Sequence, residues 1–333
     1  MMNKRLKQGS TFLLAVALTF PLLTLPGAKA ASAIDTDAEC SIEFDISGNS
    51  SELLSASIPV NLYKVASVDV SGNYTATGTF AKLDFSSVSA DNLDTAAATW
   101  SERAAEAKKL LKDDTEPTTT VTLTQGRGTA TGLKTGLYLV DTPEVVTTNY
   151  TYTFTPYLVS LPTNNYYSNG NDNWIYDLTK EYNSAVGLKP EEHARYGDLK
   201  INKTLAHHNA TTGKKATFVF KIEITPLKGK TETRIESLDF EAAGDSSVTI
   251  TKIPAGATVT VKEEYSGASY KLTSANDQNA TIVATDRGAK VDPASVSFTN
   301  DIDNNMNGGY GVKNNFKLDE NGQYQYTEPA EKN

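Results

Sequence analysis

Gly197–Leu205 reads GDLKINKTL, and two later stretches complete it: Ala257–Tyr265 (ATVTVKEEY) and Ser295–Asp301 (SVSFTND). Side chains alternate between the two faces of a strand. Leu199, Ile201 and Lys203 therefore share one face, as do Val259, Val261 and Glu263, and Val296, Phe298 and Asn300. A lysine, a glutamate and an asparagine end three apolar strand faces. A plain β-sandwich would carry Val or Thr there, because an isolated buried charge costs several kcal/mol.

Chemistry gives a reason to put these three groups together. Burial pushes a lysine toward its neutral amine and a glutamate toward its neutral acid. A neutral amine is a nucleophile. A neutral acid can hydrogen-bond the asparagine side-chain carbonyl, polarise it and move protons. Attack of Lys203 on the Asn300 amide then expels ammonia and leaves an isopeptide cross-link between the first and last strands of a domain. The reaction occurs once and turns over no external substrate. Like a disulfide the link restricts the unfolded chain, but it cannot be reduced. The bland alternative is three strand-end polar residues that share parity by chance.

Working outward, turn residues separate strand-like runs at 198–205, 216–224, 233–239, 246–252, 257–264, 280–284 and 295–300, the spacing of a β-sandwich. The first half is also β-rich, with alternation at 40–63, 74–80, 119–124, 137–141, 151–161 and 174–179. Within it, residues 90–112 carry Leu93, Ala97, Trp100, Ala104, Ala107, Leu110 and Leu111 at helical spacing, with Asp91 placed to cap the start and Pro117 past the end. The expected organisation is a leader over 1–30, a β domain with one inserted helix over 31–182, a polar linker over 183–196, a second β-sandwich over 197–302 and an Asn/Gly-rich tail over 303–333. The fold class is mainly β, two tandem Ig-like β-sandwiches.

The leader has a basic start (Lys4, Arg5, Lys7), an apolar run from Thr11 to Leu25 and small residues at Ala28-Lys29-Ala30, the pattern of a secretory signal peptide. The apolar run is shorter than the roughly 20 residues of a membrane-spanning helix. Export is expected, with no L-P-x-T-G sorting signal in Tyr326–Asn333 and no transmembrane segment. The 333 residues carry 31 Lys and Arg against 40 Asp and Glu, a net charge of -9, which argues against nucleic acid as a partner. A single cysteine, Cys40, excludes an internal disulfide framework and a CxxC zinc site. An exported protein without disulfides needs another source of stability. Only three histidines are present, and His207-His208 reads as a surface pair. No metal or other cofactor is expected. Asp301–Gly308 only hints at a calcium loop, since its glycine falls late for an EF-hand. N-x-S/T matches such as Asn73-Tyr74-Thr75 are read as chance in a Thr- and Asn-rich chain. Asn164–Trp174 (NNYYSNGNDNW) suits a sugar-binding loop or an ordinary connection.

The G-D-L-x-x-x-K opening, the I-P-A-G turn before V-x-E (Ile253–Glu264) and the closing F-x-N (Phe298–Asn300) resemble, in that order, the streptococcal-pilin isopeptide-linkage domain, close to the Cna B-type domains of Gram-positive surface proteins. The resemblance implies Lys203 as bond lysine, Glu263 as catalytic acid and Asn300 as bond asparagine, with Glu264 as the next-best acid. The first half is similar to a pilin N-terminal domain through IPVNLYKVA (58–66), the Trp100 helix, TGLYLVDT (135–142), YTFTPYLVSLP (152–162) and NWIYDLT (173–179). There the resemblance implies a first-domain bond from Lys64, with Asp141 near the acid position and Asn183 as acceptor; Lys64 reads equally well as a surface lysine that snorkels. The Y-P-K segment that joins pilin subunits is replaced by Thr179–Asn183, which leaves Lys180 and Lys189 as nearby lysines. The resemblance implies a structural, pilin-like subunit or cell-surface stalk protein of a Gram-positive bacterium, not an enzyme on external substrates. Its expected partners are other pilin subunits and a sortase. The rival is a secreted adhesin for host glycan or matrix.

Overall fold

A computed structural model describes residues 32–88, 97–164, 174–179, 185–209, 215–267, 269–288, 290–303, 315–318 and 324–327. The fold is mostly β, and the chain divides into two compact units at Arg195/Tyr196.

The first unit opens with β1 (Glu39–Asp45), β2 (Ile58–Val68), β3 (Tyr74–Ala76), β4 (Thr119–Leu123) and β5 (Arg127–Lys134). Next come β6 (Gly136–Asp141), β7 (Val145–Val146), β8 (Tyr150–Phe154) and β9 (Tyr157–Leu161). Four short strands follow, β10 (Thr163–Asn164), β11 (Trp174–Ile175), β12 (Asp177–Leu178) and β13 (Pro190–Ala194). Two smaller sheets run β13-β8-β7 and β10-β11, and the two sheets that enclose the core run β12-β1-β5 and β3-β2-β6-β9 with β4 also on β2. Ile42, Phe44, Leu62, Tyr138 and Leu161 fill the core between them.

The larger sheet is covered on its other face as well. Tyr63, Val65, Leu137, Leu139 and Leu158 pack there with Trp100, Ala104 and Ala107 of a helix, Ala97–Leu110. Spacings of four and three put those helical side chains on one stripe. Lys108 and Lys109 in the last turn favour the helix dipole. The helix is shorter than the 90–112 expected: Leu111 lies past its end, and residues 90–96, with the Asp91 cap, lie outside the described residues.

Three expectations need correction. The strand expected over 151–161 is two strands, β8 and β9, divided at Thr155-Pro156. Proline has no N–H to give a ladder. Trp174–Thr179 likewise divides into β11 and β12. Residues 190–194, expected within a linker, form β13, paired antiparallel with β8 from Pro190↔Phe154 to Ala194↔Tyr150. Its residues from Glu191 to Ala194 are all exposed, so this edge strand has no alternation to read.

The second unit is a two-sheet sandwich. Its strands are β14 (Tyr196–Leu205), β15 (Ala216–Thr225), β16 (Glu232–Phe240), β17 (Gly244–Pro254) and β18 (Thr258–Tyr265). They continue with β19 (Tyr270–Leu272), β20 (Gln278–Thr281) and β21 (Ala294–Ile302). The sheets are β17-β14-β21-β19 and β16-β15-β18-β20. The first strand, β14, runs parallel to the last, β21. Ile201, Phe218, Phe220, Ile222, Val261 and Phe298 pack between the sheets. In the tail, Asn315–Leu318 pairs antiparallel with Tyr324–Thr327.

Gly197 shows why the opening needs a residue without Cβ. A Cβ there would sit 1.8 Å from the Val283 carbonyl oxygen, where the segment leaving β20 crosses β14. Backbone cannot swing aside as a side-chain tip can. Gly197→Ala is expected to destabilise the second unit by about 1–3 kcal/mol, the usual cost of overpacking, read as a lower urea midpoint at unchanged slope.

Candidate functional site

Lys203, Glu263 and Asn300 meet inside the second sandwich. Lys203 leaves β14 and Asn300 leaves β21, neighbours in one sheet, while Glu263 comes from β18 in the facing sheet. Along the parallel pair Lys203 is level with Phe298 and Leu205 with Asn300, so the long lysine stem reaches one step along the core to its partner. The three residues are 1 %, 5 % and 0 % exposed. No bulk water competes for their hydrogen bonds.

Those bonds close a ring. Lys203 Nζ donates to Glu263 Oε2 at 2.5 Å and to Asn300 Oδ1 in a very short contact. Asn300 Nδ2 donates to Glu263 Oε1 at 2.6 Å. One carboxylate thus touches both the amine and the amide nitrogen that would leave. The Phe218 ring centroid lies 4.4 Å from Nζ and that of Phe220 5.9 Å. Burial lowers the Lys203 pKa, and the hydrogen bond and charge of Glu263 offset part of that. The ammonium is therefore less favoured than on an exposed lysine.

Parity on single strands predicted this meeting. The two phenylalanines were missed as site residues, although F-V-F at 218–220 alternates onto the same core face. Glu264, the next-best acid, is exposed and lies outside this ring of hydrogen bonds. The β15–β18 register shifts here, from Phe220↔Glu263 to Val219↔Tyr265, so Glu264 is the extra residue of a bulge.

Among the described residues, the first unit does not bring Lys64 and Asp141 together. Lys64 is opposite Tyr138, on the side of Leu62 and the first core. Asp141 shares its side with Leu139, beneath the helix, and is salt-bridged to Lys108 at 2.5 Å. Lys64 and Asp141 thus lie on opposite faces of one sheet. Asn183 lies outside the described residues. Lys64 is half-buried, with its pKa lowered by burial. Its Cε lies 2.6 Å from where a Cβ on Gly136 would fall, so the stem crosses that glycine. Cys40 is buried in the first core, its thiol pushed up to about 11 by burial. Lys64→Ala is expected to leave the mature mass unchanged apart from the substitution, and an extra ammonia in the variant relative to wild type would overturn this placement.

His207 pairs with Asp301 through Nδ1 at 2.9 Å on the surface. The loop at 165–173 and residues 304–308 of the calcium-like stretch lie outside the described residues.

Residues 199–303 match the family described as Domain of unknown function (DUF5979). No curated protein matches the chain. Among solved structures, the minor pilin GBS52 of Streptococcus agalactiae is similar at 14% identity, over 74% of this chain and 83% of that one, with a TM-score of 0.23. A C-terminal fragment of the pilus adhesin SpaC from Lactobacillus rhamnosus GG is 12% identical over 80% of this chain and 97% of that one, TM-score 0.24. The major pilin T-13 of Streptococcus pyogenes is 12% identical over 82% and 100%, TM-score 0.21. TM-scores this low establish no shared arrangement.

Proposed function

We propose that the second unit cross-links itself through an isopeptide bond from Lys203 Nζ to Asn300 Cγ, with Glu263 as the proton carrier. One observation carries the reading: a buried lysine, carboxylate and asparagine amide in mutual hydrogen-bond contact. The ammonium passes a proton to Glu263 across the 2.5 Å contact. The amine lone pair then attacks Asn300 Cγ, while the acid polarises the amide and protonates Nδ2 as the Cγ–Nδ2 bond breaks. Ammonia leaves, with its third hydrogen supplied from the attacking amine by way of the carboxylate. The second proton given up by the attacking nitrogen passes back to Glu263, which ends as the neutral acid, and one amide has replaced another.

The bond suits a load-bearing role. It ties the first strand to the last, so tension applied at the ends of the unit passes through a covalent link instead of a hydrogen-bond ladder. We therefore read the chain as an exported, pilin-like structural subunit or surface stalk protein of a Gram-positive bacterium, assembled with other pilin subunits by a sortase. This chemistry acts once on the chain itself and turns over no external substrate.

Intact mass of the purified mature chain tests the bond. The expected result is one ammonia below the sequence mass, with a peptide digest joining the Lys203 and Asn300 peptides. A full-mass chain would sink the cross-link. Assembly is a separate question: a ladder of covalent multimers on denaturing gels of cell-wall material is expected, and a lone monomer band would remove the polymer and leave a cross-linked surface domain.

A further inference from the structure

The acid and the bond partners sit on different sheets, so something must fix the gap between those sheets at the triad. The chain crosses from β19 in one sheet to β20 in the other through Thr273–Asp277, and this crossing, together with Gln278 at the start of β20, grips the backbone on both sides. On the acid side, Asn276 Oδ1 accepts the Glu263 N–H at 2.8 Å. The β18–β20 ladder ends at Val261↔Gln278, and two steps further in the same register Glu263 would fall opposite Asn276. There the asparagine side chain stands in for a backbone carbonyl. On the acceptor side, the Thr273 N–H and Oγ1 both donate to the Thr299 carbonyl, at 2.8 and 2.9 Å. The Thr299 N–H donates to Ser274 Oγ at 3.2 Å. Gln278 Nε2 donates to the Ser297 carbonyl at 2.7 Å.

We propose that Asn276 is a positioning residue for the self-cross-linking, holding Glu263 in place against an Asn300 strand that the same crossing holds from the other side. Asn276 is itself exposed and touches none of the reacting atoms. It acts through the backbone of Glu263. Without that acceptor, the Glu263 N–H at the bulge has lost its partner, and the carboxylate loses its fixed distance to both nitrogens. Reactions that depend on preset geometry are sensitive to displacements of about 1 Å. The inference rests on the cross-link proposed above.

The test is a time course of ammonia loss. Mature full-length chain is made by cell-free synthesis, quenched in acid at intervals and weighed. Asn276→Ala is expected to lose ammonia about 10- to 100-fold more slowly than wild type. Asn276→Asp, which keeps the acceptor oxygen, is expected to recover most of the rate. The same Asn276→Ala change placed in an Asn300→Ala chain, which cannot close, reports its effect on stability alone; only a small shift in melting is expected. Closure of Asn276→Ala at the wild-type rate overturns the proposal, as does equal slowing in Asn276→Asp. If Asn276→Ala does not fold, the Asp variant decides alone. A wild-type chain that never loses ammonia would instead sink the cross-link itself, and the role of Asn276 with it.

Discussion

Lys203→Ala is expected to keep its full sequence mass and to lose most of the stability margin of the second unit. Two separate losses combine. The first is the bond. Lys203 and Asn300 are 97 positions apart, and closing a loop of that size restricts the unfolded chain by about 4–5 kcal/mol in the chain-entropy view. The second is the buried carboxyl group left without its neighbour. Glu263 has a fully buried side chain, and truncating Lys203 removes the nitrogen it hydrogen-bonds, a loss of about 1–3 kcal/mol for a buried polar group left unpaired. Typical whole-domain stabilities of about 5–15 kcal/mol leave little after that. A second variant separates the two losses. Lys203→Met with Glu263→Gln removes the bond without leaving a buried ionisable carboxyl and keeps the volume, so its deficit against wild type reports the missing bond. Urea unfolding followed alongside intact mass is the measurement. The order expected is wild type above the double variant, and the double variant above Lys203→Ala. A double variant as stable as wild type would mean that the link contributes nothing.

The triad was legible because each member lies near the end of a strand buried on one face only. Leu199-x-Ile201-x-Lys203 has a single apolar side, so parity identifies the inside. The same argument failed in the first unit for a physical reason. Its larger sheet is covered on both faces, by the facing sheet on one side and the Trp100 helix on the other. Asp141 does align with Leu137 and Leu139, but that row faces the helix, while Lys64 faces the other core. Parity gives a residue's side relative to its own strand and cannot say which of two apolar layers it enters. β13 was illegible because Glu191, Glu192 and His193 all face solvent, so the strand that pairs with β8 shows no apolar alternation. The Thr273–Gln278 crossing escaped for a related reason. Its residues are mostly exposed and polar, and its role lies in side-chain bonds to backbone more than ten positions away in sequence. No local pattern records such bonds.

Glu263→Gln separates the proton carrier from the bond it helps to make. Glutamine keeps the volume, and its carbonyl can still accept from Lys203, but it cannot take the ammonium proton or deliver one to the leaving nitrogen. Loss of a positioned acid–base group costs about 10²- to 10⁴-fold in rate, so the variant is expected to be isolated largely at full mass. Its closure then depends on how much Lys203 is neutral without help. Burial lowers the Lys203 pKa and Glu263 raises it; with the carboxylate gone, only the lowering remains. Residual closure is therefore expected to speed up with pH until the amine is fully deprotonated. The stability of the unlinked variant carries the same sign. The unfolded lysine holds its proton up to about 10.5, above the folded value. Between the two, the unfolded chain binds more protons, so stability rises with pH. Below the folded value the penalty for burying the ammonium is complete and stability is flat. Mass against time across a pH series, with urea midpoints on the unlinked chain, checks both. Wild-type closure kinetics in Glu263→Gln would remove the carboxylate from the chemistry and leave it as a hydrogen-bonded brace for the lysine.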